Sequence, residues 1–397
     1  MSGGARADAA GPTTRRTPAR SRGASPEPAR SWTWWREASG SVADLGVLVP
    51  IAVALIVGNG LSTTAALVPA GLAYLLVAVV YRLPVAVQPL KAFGAVAIAT
   101  GSGPEVIAAG ALLMGAVFTV LALTGWLDRV ARVFPRAVIR GVQLAVGLTF
   151  LRIAVGLVAD PPGAFVGQLP LVPAGVVTVV LVVVLVWRRG LVLVAVVGAL
   201  VAAAALGGWD GWGPSVVELP SLDGAAFATA AVLLVVPQLP LTFTNSCLAP
   251  PDAARVYFGD RAAAVTPSRL ALTLGATNLV VGAVGGMPVC HGAGGMSAHH
   301  AAGGRTWRTP VIVGGALVVL AVAAGASLSG VLTAFPLPVL AALLVVAGLA
   351  HVRLLRDLSS RQDWALALVV GLLGMLNLAV AVLVGLLGAW AVRRWWR

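Results

Sequence analysis

"GGMPVCHGAGGMSAHH" occupies residues 285–300 and interrupts an otherwise apolar chain with a proline, a cysteine, histidines and several glycines. Its surroundings decide how it is read. The chain has 397 residues, of which 59% are hydrophobic and 10% charged, and its mean hydropathy is +0.96. No water-soluble fold hides that much apolar surface, so the composition describes an all-α polytopic membrane protein. At roughly 20 residues per crossing, apolar runs separated by charges and turn residues give about fourteen transmembrane segments. They lie near 41–58, 64–81, 84–100, 105–126, 138–158, 171–187, 190–207, 225–249, 269–285, 287–302, 309–329, 331–350, 364–376 and 378–392. The quoted stretch is the tenth.

The net charge of +13 raises the question of a nucleic-acid partner. The arginines are not gathered on one soluble face, and that partner is excluded. Residues 1–36 form a basic tail without apolar periodicity and are read as disordered and cytoplasmic. With the tail inside, Arg82, the group Arg129, Arg132, Arg136 and Arg140, then Arg188, Arg189, Arg255, Arg261, Arg269, Arg305, Arg308, Arg353, Arg356 and Arg361 all fall on one side. The opposite loops carry Glu105, Asp160, Asp210, Glu218 and Asp223. This asymmetry predicts cytoplasmic N- and C-termini in a plasma (inner) membrane. Trp32, Trp34, Trp35, Trp395 and Trp396 fit interfacial anchors. Two basic residues fall inside apolar runs. Arg152 reads as a helix-contact or subunit-contact charge without an assigned role, whereas Lys91 adjoins a second unusual stretch.

That stretch is "LPVAVQPLKAFGAVAIATGSG" at 83–103. Like 285–304, it has an extended-looking segment, a proline and then a run of Gly, Ala and other small residues. A second pair, "DLGVLVPIA" (44–52) and "PQLPLTFTN" (237–245), reads as two polar, proline-interrupted spans half a chain apart. Proline at the first turn of a helix loses no hydrogen bond, so Pro89 and Pro288 are read as starting half-helices in mid-membrane. Such breaks are tolerated only where the backbone is buried in protein or lines a cavity. The third span enters from the cytoplasm and the tenth from outside, the arrangement of inverted repeats framing a midplane substrate. Two half-helix N-termini and Lys91 together give about two units of positive charge, a match for a small dianion. Asp44 is the candidate for neutralising that charge or carrying a coupling proton. The same residues admit plainer readings. Glycines such as Gly285 and Gly286 serve close packing, and Gln88, Gln238, Thr242, Thr244 and Asn245 serve equally well as interhelical hydrogen-bonding glue. His291 stands just after Pro288, while His299 and His300 are read as interfacial and without a role. The two cysteines, Cys247 and Cys290, lie in apolar surroundings and do not read as a disulfide framework.

"GSVADLGVLVPIAVAL", "VPQLPLTFTNSCLAP" and "GGMPVCHGAGGMSAHHAAGGRT" resemble the signature segments of the molybdate transporter family, distant relatives of the sulfate permeases. The resemblance runs from about residue 37 to the C-terminus. It implies two inverted seven-helix repeats, about 37–207 and 225–392, divided into core and gate domains within a transporter domain 37–397. It also implies uptake of tetrahedral oxyanions by alternating access. By motif, the substrate-binding residues would be Gln88, Pro89 and Lys91 in the discontinuous third span, Gln238, Thr242, Thr244 and Asn245 in the eighth, and Cys290, His291, Gly292 and Gly294 in the discontinuous tenth. Asp44 would be the coupling candidate. Sulfate permeases usually end in a STAS domain, and a chain that stops at "RRWWR" is expected to lack regulation through it. Fold analogy also allows a homodimer.

The leading expectation is therefore a secondary transporter of molybdate, with sulfate the nearest alternative, embedded in lipid and coupled to protons or another ion. It is not an enzyme and needs no cofactor. No phosphate-cradling nucleotide loop is present to suggest a primary pump. An anion channel would share the site. An intramembrane metalloprotein built on Cys290, His291, His299 and His300 is the alternative of another class. Its weakness is that adjacent ligands diverge and no zinc-type spacing is present.

Overall fold

The computed structural model describes residues 34–395 apart from 44, 128, 130–132 and 189–190. Asp44, Trp32, Arg132, Arg189, Trp396 and the tail through residue 33 lie outside the described residues, as does the side chain of Trp395. The described residues are mostly helical. In order, the elements are α1 (Trp34–Val42), α2 (Leu45–Gly58), α3 (Thr63–Tyr81), β1 (Gln88–Pro89), α4 (Lys91–Thr100), α5 (Pro104–Thr124), α6 (Arg136–Ala159), α7 (Leu171–Trp187) and α8 (Leu191–Leu206). There follow α9 (Gly224–Ala264), α10 (Pro267–Ala283), β2 (Val289–Cys290), α11 (Ala293–Ala301), α12 (Arg308–Thr333), α13 (Leu337–Arg353), α14 (Arg361–Leu373) and α15 (Leu378–Trp395).

Helix falls in every apolar stretch read from the sequence. By length and composition, six described helices can cross a membrane, and a seventh span arises if α1 and α2, bent by 42°, count as one. The helices α4, α7, α8 and α15 are apolar but shorter. Large apolar residues on outward faces, such as Val79 at 75% and Leu387 at 67% exposure, suit a lipid environment.

Three helix pairs approach through reciprocal glycines. A Cβ on Gly71 of α3 would lie 2.8 Å from the carbonyl of Gly314 in α12, and one on Gly314 would lie 2.6 Å from the carbonyl of Gly71. Gly115 of α5 and Gly275 of α10 oppose each other at 3.0 Å in the same sense. Gly147 of α6 and Gly348 of α13 do so at 2.8 and 2.7 Å. Lipid tails supply no hydrophobic drive for helix association, so backbone contact of this kind carries the packing. Gly286 belongs to the same class, since a Cβ there would meet the carbonyl of Ala65 at 2.3 Å.

Two expectations change. Pro89 and Pro288 do not begin helices: Pro89 lies in β1, Pro288 precedes β2, and the half-helices start at Lys91 and Ala293. The register explains why. Leu90 N–H donates to Pro288 O at 3.0 Å, so the neighbouring pair, Pro89 opposite Val289, is non-hydrogen-bonded and its N–H positions point away from the ladder. Proline fits there because no ladder donor is needed.

Within the described residues, 45–52 and 237–245 run as continuous helix despite their prolines. Pro50 lies inside α2, which continues as a π turn over Ala54–Gly58, and Pro237 and Pro240 lie inside α9 between π turns at Ala231–Val235 and Thr242–Leu248. The first α9 π turn contains Leu233, whose carbonyl Pro237 cannot bond, and the wider turn accommodates that loss.

Candidate functional site

The two interrupted spans meet as a two-stranded antiparallel ladder, with Gln88 opposite Cys290 and Pro89 opposite Val289. Each strand then feeds a short helix, α4 or α11, and antiparallel strands send the two helices off in opposite directions. The first N–H groups of each have no partner within the helix. Both helices therefore present amide donors and the positive ends of their dipoles beside the ladder.

Lys91 stands at the first turn of α4 and donates from Nζ to Gln88 Oε1 at 2.6 Å. It is half-buried, and among the described residues no carboxylate lies within 4.0 Å of it. Gly292 caps α11 from across the ladder. A Cβ there would lie 2.5 Å from Gln88 Oε1 and 3.4 Å from Lys91 Nζ, so only glycine leaves the Gln88–Lys91 pair its place. Gly294, one turn position further, is exposed, with nothing within 4 Å of its Cβ direction.

The long helix α9 supports the same point. Gln238 Oε1 accepts the Phe93 N–H of α4 at 3.0 Å, and its Nε2 donates to Thr242 Oγ1 at 2.9 Å. One of the open donors of α4 is thus taken by a side chain, while those of Lys91 and Ala92 belong to the unbonded first turn. Thr244 Oγ1 donates to Pro240 O at 3.0 Å, and both Thr244 and Asn245 are half-buried in the second π turn of α9.

The remaining expected residues sit behind this front. His291 is fully buried, its Nε2 2.9 Å from Thr273 Oγ1 and its Nδ1 3.3 Å from Ala86 O, with the Tyr81 ring edge-on at 6.4 Å. Cys290 directs its Sγ toward Pro89 O at 3.8 Å. Both side chains brace the ladder from the protein side. Cys247 and Cys290 are free and buried.

His299 corrects the interfacial reading: it is buried, with Nδ1 2.8 Å from Gly40 O. His300 stacks on Tyr257 at 4.3 Å. Arg152 lies on the exposed face of α6. Among the described residues no group of three or more His, Cys, Asp or Glu converges as a metal site would require.

Three positioning residues were not anticipated. Asn278 of α10 donates to Val289 O at 2.7 Å and accepts the Val289 N–H at 2.9 Å, satisfying the outward edge of β2. Asn59 donates to Ala97 O and Ser102 O at 2.9 and 3.0 Å and closes the far end of α4. Glu37, fully buried in α1, accepts from Thr309 Oγ1 at 2.6 Å and from the N–H groups of Arg305 and Thr306 at 3.3 Å, which caps the start of α12. A polar side chain within or at the end of an apolar stretch is the available signal for Asn278 and Asn59, because it must find a partner, whereas Glu37 lies in a polar helix that gives no such signal.

The arrangement concentrates positive potential where the protein supplies no described counter-charge. It suits a small anion held by amide donors, one ammonium group and short side chains.

The chain is similar to known transporters. Molybdate transporter 1 of Arabidopsis thaliana is 28% identical over 372 residues, covering 82% of this chain and 81% of that one. Molybdate transporter 1 of Chlamydomonas reinhardtii is 28% identical over 480 aligned positions, covering 91% and 92%. Among solved structures, the transmembrane domain of the cyanobacterial bicarbonate transporter BicA superposes with a TM-score of 0.61 at 16% identity, covering 89% of this chain and 96% of that one. The murine anion transporter Slc26a9, in its inward-facing state, gives 0.64 at 16% identity, covering 90% and 68%. At such identities the likeness is one of fold. The family model described as "Molybdate transporter of MFS superfamily" matches residues 36–150 and 230–350, which include both strands, both half-helices and the Gln238 segment, and the chain belongs to that family.

Proposed function

We propose that this chain is a secondary active transporter that takes up molybdate by alternating access, with the anion held between the N-termini of α4 and α11. The observation that carries the reading is the Gln88–Lys91–Gly292 cluster at the ladder. A single ammonium and two helix dipoles sum to about two positive charges, the complement of a divalent tetrahedral oxyanion. Sulfate carries the same charge and shape and is the second candidate. The relatives named as molybdate transporters favour the first.

The full architecture would be fourteen crossings in two inverted repeats, about 37–207 and 225–392, behind a basic tail that would end where α1 begins at Trp34 rather than at residue 36. The packing supports it. If each repeat contributes seven spans in order, the α3–α12 glycine contact maps onto the α5–α10 contact when the halves are exchanged, and α6–α13 maps onto itself. A core domain of α1–α5 and α9–α12 would carry the anion against a gate of α6–α8 and α13–α15. Gln88, Pro89, Lys91, Gln238, Thr242, Thr244, Asn245, Cys290, His291, Gly292 and Gly294 are the binding set in this reading. Lys91, Thr244, Asn245 and Gly294, the less buried members, would face the anion, and the others would hold them. Both termini would be cytoplasmic in the plasma membrane, and a homodimer is the assembly to test.

Calorimetry of the purified protein with molybdate and with sulfate, alongside Lys91→Ala, tests the site. Binding lowered by about tenfold or more in the variant, equivalent to ~1.4 kcal/mol, is the expected result. Unchanged binding would remove Lys91 and the charge-matching reading. Accumulation against a gradient separates a carrier from a channel. Asp44 is the coupling candidate, and identical pH profiles of uptake in wild type and Asp44→Asn would eliminate it.

A further inference from the structure

We infer that the cleft between the C-terminal end of α3, the turn Gly259–Ala264 at the end of α9 and the start of α12 binds an anionic phospholipid, headgroup and one acyl chain together. This site is separate from the ladder. Its polar part is a cavity of about 690 Å³ whose walls include Arg82, Arg261, Thr306 and Trp307, with Val79 and Leu83 beneath them. No carboxylate lines it, and among the described residues neither arginine is in an ion pair. Asp260, next to Arg261 in the chain, is exposed and is not part of the lining. Arg261 donates one Nη2 bond to Arg305 O at 3.0 Å, which fixes its fork and leaves the other donors for a ligand.

Arg82 breaks a local rule in doing this. It closes α3 at φ 54°, the single positive φ of a non-glycine residue among those described. Glycine is the usual occupant of that position. An arginine retained there at a backbone cost is consistent with a guanidinium needed at this point.

The apolar part continues along α3. A second cleft of about 270 Å³ is lined by Leu72 and Leu76 of α3 and by Ala276 and Val280 of α10, with almost wholly apolar surroundings. Leu72, Leu76 and Val79 follow one another at helical spacing on one face and are 49%, 39% and 75% exposed. From Leu72 to Arg82 the helix rises by about 15 Å, half of a ~30 Å hydrocarbon core. One face of α3 thus offers a track the depth of one leaflet, ending at two guanidinium groups that form no ion pair among the described residues. Trp307, 45% exposed, stands at the boundary where indole rings settle in membranes. A phosphodiester fits the arginines and a chain fits the track. A zwitterionic headgroup would bring a second, cationic end with no acid in the lining to receive it.

The test uses the full-length protein in mild detergent and native mass spectrometry, with dioleoylphosphatidylglycerol, dioleoylphosphatidylcholine and inorganic phosphate as probes. Arg82→Gly combined with Arg261→Gln removes both charges, and glycine relaxes the backbone at position 82, so the fold is retained. Leu76→Trp fills the track without touching charge. The expected result is phosphatidylglycerol bound to the wild type, reduced roughly tenfold in the double variant, reduced also by Leu76→Trp, and retained by Arg82→Lys. Undiminished phosphatidylglycerol in the double variant would overturn the assignment, as would equal retention of phosphatidylcholine. So would displacement of phosphatidylglycerol by inorganic phosphate in Leu76→Trp and wild type alike, which would mark a free-anion site.

Discussion

Gln238 Oε1 accepts the backbone N–H of Phe93 at 3.0 Å across 145 residues of sequence. A side chain of the long helix α9 therefore holds the first turn of the half-helix that carries Lys91. Since Gln238 also donates to Thr242, its amide is committed on both ends. Gln238→Leu should leave the Phe93 N–H and the Thr242 hydroxyl without their partner, costing about 1–3 kcal/mol. The expected outcome is a lowered thermal midpoint together with weakened molybdate binding. Gln238→Glu, which keeps the acceptor, should recover part of the midpoint. A Leu variant with unaltered melting and binding would show that the bond orders nothing.

Gly292 and Gly294 differ in a way that a methyl group can read. Alanine at 292 must displace the Gln88 side chain, whose oxygen would be 2.5 Å from the new carbon. It should lower both stability and anion affinity. Alanine at 294 enters open space and gains helix propensity of about 1 kcal/mol. Its melting temperature should hold or rise while molybdate affinity falls, if the anion occupies that space. Paired melting and binding curves check both, and an affinity unchanged in Gly294→Ala would move the anion away from α11.

Asn278 makes both hydrogen bonds of Val289 and a third to Leu274 O at 2.9 Å. Asn278→Leu leaves a strand edge unsatisfied inside the membrane, so the loss should exceed that of an ordinary polar substitution. Roughly 2–5 kcal/mol is expected for two stranded backbone groups. Detergent melting and expression level measure it, and a variant as stable as wild type would mean that β2 finds another partner.

Glu37 joins α1 to the start of α12 through three acceptor contacts. Glu37→Gln retains an oxygen acceptor and should be milder than Glu37→Ala, which strands two amides and leaves the Thr309 hydroxyl only its 3.4 Å bond to the Glu37 carbonyl. Proteolysis of the N-terminal segment reports the difference. Equal protection in the Ala variant and in wild type would dismiss the bracing role.

Much of this is legible in the sequence. Proline and glycine inside an apolar run marked the two breaks, and Lys91 marked the charge between them, because neither feature survives in lipid without a reason. The placement of Pro89 was not legible. A missing N–H is equally harmless at a helix start and at a non-hydrogen-bonded strand position, and only the register with Val289 distinguishes them. The π turns beside Pro50 and Pro237 were likewise hidden, since a proline signals a lost bond but not how the helix absorbs it. His299 reads as interfacial because it falls near the end of the tenth span. Its partner, Gly40 O, lies 259 residues earlier, and periodicity carries no information about such contacts.

The ladder that joins the two halves also sets an order of events during synthesis. Pro89 and Cys290 meet across 201 residues, so β1 has no strand to pair with until more than half the chain has entered the membrane. Until then its unpaired carbonyls and the amides at the head of α4 must be covered by water, by neighbouring helices or by an assisting factor, because lipid offers them nothing. Closure of so long a loop is slow relative to helix formation. The ladder is thus completed only after Val289 and Cys290 have been made, and a chain halted midway would hold its earlier spans without the pairing on which the proposed anion site depends.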